Sequence, residues 1–193
     1  LLSAAQNLQQ NSVYIQQDST QPALAQKALF DWLTSIQDQQ AVAEAEALAP
    51  LAIRQEIFDL IEAAGNDDPH NRLKKIDDNV INIVDMIFEY ILDQDIPPHM
   101  AALIGRLQIP VLKIAIHDNS FFDNMDHPAR RLLNHIAHAS LGWESTGNFN
   151  SDPLYRKVEQ IVQIILKVET PEVALFEKWE SDLNKFIDGN QAR

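Results

Sequence analysis

Apolar residues recur along this chain at spacings of three and four, the period of a helix face, and no stretch alternates long enough to make a strand. The strongest such stripe is Leu73, Ile76, Val80, Ile83, Val84, Ile87, Tyr90 and Ile91, which predicts a helix from about Asn71 to Asp93. A helix of some twenty residues is a rod of about 30 Å, long enough to cross a small domain. Met86 and Phe88 flank the stripe and widen it, which predicts burial on more than one side.

Prolines mark most other beginnings. Pro22 follows the capping candidates Thr20 and Gln21 and opens a helix through Leu29, Leu33 and Ile36 to about Asp38. Pro50 opens a second one through Ile53, Ile57, Leu60 and Ile61, which Gly65-Asn66 ends, and residues 66–70 are turn chemistry. After Pro97-Pro98, the stretch through Leu103 and Ile104 meets Pro110, which disfavours helix at Ile109 and predicts a kink or two short helices. Residues 118–122 read as a turn inserting Phe121 and Phe122 into the core. Pro128 opens a helix with Leu132, Leu133, Ile136, Ala137 and Leu141 inside and Gly142 at its end.

Asp152-Pro153 and Thr170-Pro171 begin the last two helices, whose short link predicts antiparallel packing. In the loop before them, Trp143 and Phe149 read as plugs of the core or as interface anchors. The fold class that follows is all-α: an irregular multi-helix bundle or helical array around a long central helix, with no sheet. Residues 1–21 form a lead-in, poorly ordered or briefly helical; 22–188 form one helical domain; 189–193 form a frayed tail.

Composition narrows the functional classes. No Cys is present, which excludes disulfides, thiolate metal sites and a Cys nucleophile, and fits a cytoplasmic location. Twenty-eight Asp and Glu against 15 Lys and Arg leave a net charge of -13, a field that repels nucleic-acid phosphates and anionic lipid. No apolar run approaches the roughly 18 residues of a membrane span. The chain starts Leu1-Leu2-Ser3, with no initiator Met and no signal-peptide pattern, and reads as a segment of a longer protein.

Three polar constellations remain. On the helix after Pro128, His127, Arg130, Arg131, His135 and His138 are the binding candidates: they could hold a phosphate or a partner carboxylate near the helix start, or form an ordinary polar face with an arginine paired to a core-side Asp. His135 and His138 lack a carboxylate in register, so no metal site is assigned. On the long helix, Asp77, Asp78, Asp85 and Glu89 read as a solvated face, with Asp77, Asp78 and Arg106 as candidates for a structural clamp. The Glu-x-x-His pairs of di-metal bundles are missing. Ser140 lies in no nucleophile elbow, and phosphate-binding glycine patterns are absent, so no catalytic residue and no cofactor is assigned.

Three stretches in order also carry a family likeness: Lys75-Ile76-Asp77-Asp78-Asn79-Val80, Leu107-Gln108-Ile109-Pro110-Val111-Leu112-Lys113, and His127-Pro128-Ala129-Arg130-Arg131-Leu132-Leu133-Asn134. From about Leu73 to Trp143 the chain resembles the bacterial family of domain of unknown function 1631. The resemblance implies a part of a long protein from a Gram-negative bacterium, and brings no assigned activity. Some members carry a PilZ-type cyclic-dinucleotide region elsewhere, but the basic signature it needs is absent from this chain.

The reading that follows is a non-enzymatic helical interaction or regulatory module of a cytoplasmic protein, its partner being another protein or another region of the same chain, with no nucleic acid and no membrane insertion. The alternatives are an anion or nucleotide sensor binding near Pro128, and a metal-dependent phosphoester hydrolase using Asp77, Asp78 or Asp85.

Overall fold

The computed structural model describes residues 30–38, 70–143 and 148–191, with side chains from Val80 onward in the long helix and up to Gly189 in the last. The lead-in over 1–21, the Pro22 start, the Pro50 helix and the side chains of Asp77 and Asp78 lie outside the described residues. Among those described, the chain is helical and contains no strand. The helices are α1 (30–38), α2 (His70–Leu92), α3 (Pro98–Gly105), α4 (Gln108–His117), α5 (Ser120–Asp123), α6 (Pro128–Ser140), α7 (Pro153–Leu166) and α8 (Val173–Gln191), with a 3-10 turn at Phe149–Ser151.

The long helix α2 buries Ile81, Val84, Phe88 and Ile91 and packs along α4. From Val80 onward it is buried on one side only. Tyr90, placed in the stripe, is 72% exposed and Met86, expected to widen it, is 66% exposed, so neither belongs to the core. The buried set follows Val84, Phe88 and Ile91, and Met86 lies about 200° around the helix from Val84 at 100° per residue.

The most enclosed element is α4, in which every residue from Gln108 to Ala115 is buried. The break between α3 and α4 falls at Arg106 and Leu107, upstream of Pro110. The reason is backbone bookkeeping: at the third position of α4, Pro110 lacks a donor where no intrahelical partner exists. Ile109 is thereby helical and wholly buried despite preceding a proline. Contrary to the expectation that no run approaches a membrane span, Pro98–His117 is long and apolar enough for one by length and composition, at mean hydropathy 1.3, but 72% of its apolar window is buried inside the fold. A core helix pair explains that apolarity.

Two buried polar groups in this core fasten α1. Gln37 donates to the carbonyls of Leu166 and Val168 at 2.6 and 3.0 Å, and Lys113 donates to Thr34 Oγ1 and to the Glu169 carbonyl, both at 2.8 Å. These bonds satisfy carbonyls that the end of α7 leaves without intrahelical donors.

Within residues 118–122, Asp118 is extended and a single helical turn runs from Ser120 to Asp123, with Phe121 wholly buried and Phe122 half-buried. In α6 the apolar face Leu132, Leu133, Ile136 and Ala137 is buried as the spacing implied, and Gly142 ends the helix region at φ 69°. Leu141 is not inside: it is 42% exposed, because the chain leaves the helix at that residue. Trp143 and Phe149 pack as plugs, with Trp143 stacked on Tyr155 at 6.1 Å and Phe149 against Tyr155 at 5.0 Å and His99 at 3.9 Å.

Asp152 caps α7, accepting from the N–H groups of Leu154 and Tyr155 at 2.9 Å each, with Pro153 at the first position. The final helix begins two residues beyond Pro171, at Val173. It lies chiefly along α6, and its contact with α7 is the smaller one, including the Lys157–Asp182 ion pair. A short link between α7 and α8 was therefore a poor guide to the larger packing partner. Phe176 and Leu183 are the wholly buried apolar residues of α8.

Candidate functional site

The residues singled out on α6 separate into two groups. At its N-terminus the imidazole of His127, 1% exposed, is itself the cap: its Nδ1 accepts from the Ala129 N–H at 3.2 Å. Acceptance at Nδ1 places the proton of the neutral ring on Nε2, which faces Asp118 Oδ2 at 3.5 Å. Ser120, through its hydroxyl and its backbone N–H, holds the Asp118 carboxyl below the usual carboxylate range, and His127 adds to that effect. The Phe121 ring lies edge-on to His127 at 5.3 Å, under the guanidinium of Arg130 at 5.9 Å, and Arg130 donates to the Phe121 carbonyl at 3.3 Å. His127 and Arg130 thus fasten the α5 turn to the start of α6.

Further along, Arg131 and His135 converge on one carboxylate. Glu180 of α8, nearly buried, receives Arg131 Nη2 at 3.5 Å, faces His135 Nδ1 at 3.3 Å and accepts from Asn184 at 2.9 Å. Arg131 also donates to the Asp126 carbonyl at 3.0 Å. The sequence suggests a core-side Asp for an arginine of this helix; the carboxylate facing Arg131 is Glu180 of α8. Glu180 carries a sequence signal, since it stands four residues after Phe176 and three before Leu183, inside the apolar register of its helix. An acid in that register needs a cation across the interface.

His135 and His138 share a groove of about 540 Å³ with Ala139, Leu154, Asn184, Phe186 and Ile187. Its polar edge is two imidazoles and an amide; its apolar wall is Leu154, Phe186 and Ile187. His138 is exposed at the rim.

The other clamp candidate, Arg106, is 2% exposed between α3 and α4. Burial lowers its pKa, and the charges of Glu159 and Tyr155 oppose that shift. With the Gln163 amide turned so that its oxygen faces the guanidinium, it accepts from both terminal nitrogens at 3.2 and 3.3 Å. Whether Asp77 or Asp78 joins Arg106 falls outside the described side chains. Asp85 accepts from Gln108 at 2.8 Å, so this acid of the long helix has a partner in the core instead of an open solvated edge. Among the described residues no three His, Asp or Glu side chains come together as a metal site.

Among the described residues the fold is an all-α domain whose conspicuous polar residues pin its helices together. This chain belongs to the DUF1631 family: the family model described as "Protein of unknown function (DUF1631) 2nd domain" matches residues 23–170. The match ends before α8, so Glu180 and Asn184 lie beyond it. No curated protein and no solved structure matches the chain.

Proposed function

We propose that this chain is a non-enzymatic helical interaction module of a larger bacterial cytoplasmic protein, with the groove between α6, α7 and α8 as its docking place. The observation that carries this reading is the groove itself, an apolar wall of Leu154, Phe186 and Ile187 faced by His135, His138 and Asn184. An apolar anchor rimmed by hydrogen-bonding groups is the arrangement in which a partner side chain is held and oriented. Another protein, or another region of the same full-length chain, is the occupant proposed.

The anion-sensor reading has less support. A helix start binds anions through free N–H groups, and at α6 the His127 ring already takes one of them while Pro128 supplies none. Arg130 and Arg131 are committed to the Phe121 carbonyl, the Asp126 carbonyl and Glu180.

The test is in-cell crosslinking of the full-length protein carrying His138→Glu plus Ile187→Glu. The variant, with an unchanged circular dichroism spectrum, is expected to lose a partner or an intramolecular crosslink that the wild type makes. Retention of every crosslink by the folded variant would sink the groove as the docking place.

A further inference from the structure

Exposed large hydrophobic side chains among the described residues are Met86, Tyr90, Met125 and Leu141. Met125 and Leu141 stand singly. Met86 and Tyr90 are four residues apart on α2 and so stack one turn above the other, at 66% and 72% exposure. They line an open concavity with Glu89, Leu92 and Asp93. Beside them runs a row of acids one turn apart, Asp85, Glu89 and Asp93, and the exposed Asp95 follows at the helix end. Asp85 is turned to Gln108, and the last turn of α2 offers Glu89 and Asp93 no basic residue.

An apolar pair with an acidic border is a surface of defined complement. Its occupant needs apolar side chains at helical spacing for Met86 and Tyr90, and lysines or arginines for the flanking row. The chain itself offers a poor match. Residues 39–69 carry seven Asp and Glu against the single Arg54, and residues 1–29 carry one Asp and one Lys. A second copy brings its own net charge of -13 to the contact.

We propose that the face of α2 bearing Met86, Tyr90, Glu89 and Asp93 docks a basic amphipathic segment of a different protein. The inference rests on the interaction-module reading but uses a surface separate from the α6–α8 groove, so the two can fail independently. A helix laid along α2 would place its apolar residues on Met86 and Tyr90 and its cations against Glu89 and Asp93, with acidic repulsion excluding the wrong partners.

The experiment uses the whole chain and two labelled synthetic peptides, an amphipathic Leu/Lys helix and a Leu/Glu helix of equal length and pattern, followed by fluorescence anisotropy at physiological salt. Binding of the Leu/Lys peptide is expected, weakened about tenfold or more both by Met86→Ser plus Tyr90→Ser and by Glu89→Lys plus Asp93→Lys. The first variant keeps the charge and the second keeps the apolar pair, so attraction by net charge alone would survive the first. The groove variant His138→Glu plus Ile187→Glu should leave the affinity unchanged. Equal binding of the Leu/Glu peptide, or unchanged affinity in either α2 variant, overturns the proposal. So does self-association abolished by Met86→Ser plus Tyr90→Ser, or a crosslink from position 90 into residues 39–69 of the same chain, since either would identify a different occupant.

Discussion

Replacing Lys113 by Met tests how an ammonium is held in the middle of this core. Lys113 is wholly buried, and burial lowers its pKa from 10.5 to about 8, with the charges of Asp38 and Glu169 opposing the shift. The unfolded chain therefore keeps its proton over a range in which the folded chain has released it. Between pH 8 and 10.5 the unfolded state binds more protons, and stability must rise with pH. At about 1.4 kcal/mol per unit, the rise across that window is about 3 kcal/mol. This contribution is fully present above the unfolded pKa and is lost as pH falls through the folded one.

Methionine has a similar length and no charge. Its substitution removes the bonds to Thr34 and to the Glu169 carbonyl, which is a loss, and removes the buried charge, which is a gain. Thr34 keeps its own bond to the Phe30 carbonyl at 2.8 Å, so its hydroxyl is not orphaned. Urea unfolding followed by circular dichroism at several pH values from 7 to 10.5, on both proteins, isolates the effect, because every other titrating group is common to the two. The wild type is expected to gain about 3 kcal/mol on the Lys113→Met variant across this range. A difference that stays flat with pH would refute the reasoning and mean that Lys113 reaches solvent or keeps its charge through its partners.

Two further outcomes follow from the helix junctions. Asp152→Ala removes the side chain that accepts two N–H groups at the start of α7, and is expected to cost about 1 kcal/mol in denaturant unfolding, most of it restored by Asp152→Asn. Glu180→Gln keeps an acceptor for Asn184 but removes the charge facing Arg131 and His135. Since Arg131 is 35% exposed and regains water, the expected loss is about 1 kcal/mol, the upper end for solvent-exposed ion pairs. Faster amide exchange in α8 with an unaltered α2–α4 core would locate that loss at the clamp, whereas uniform exchange changes would contradict it.

Much of the architecture was legible in the chain because helices declare themselves locally. The three-four spacing from Val80 to Ile91, the proline starts at Pro98, Pro128 and Pro153 and the Asp152 cap depend on residues a turn or two apart and locate the helices, although the buried face of the long helix runs through Ile81, Val84, Phe88 and Ile91, where the stripe named Val80, Ile83, Val84, Ile87 and Tyr90. The family motifs were equally visible, being contiguous.

Contacts between helices were not visible in the same way. Periodicity names the apolar face of α8 but not its neighbour, and α8 lies chiefly along α6 despite its short connection to α7. The candidate site shows the same division. The sequence placed Arg131 and His135 on one helix and suggested a core-side Asp for an arginine, while the acid that faces both depended on α8 bringing Glu180 across the interface. His127 and Arg130, grouped with them by spacing, were drawn instead to Ala129 and Phe121. Met86 makes the last point: position alone put it beside an apolar stripe, and only the placement of α4 against one side of α2 decided that it would face outward, beside Tyr90 and a row of acids. Local sequence determines helix limits and amphipathic faces because those free energies are summed over neighbours in the chain. Which face meets which, and what stays exposed, is decided by packing among residues far apart in sequence.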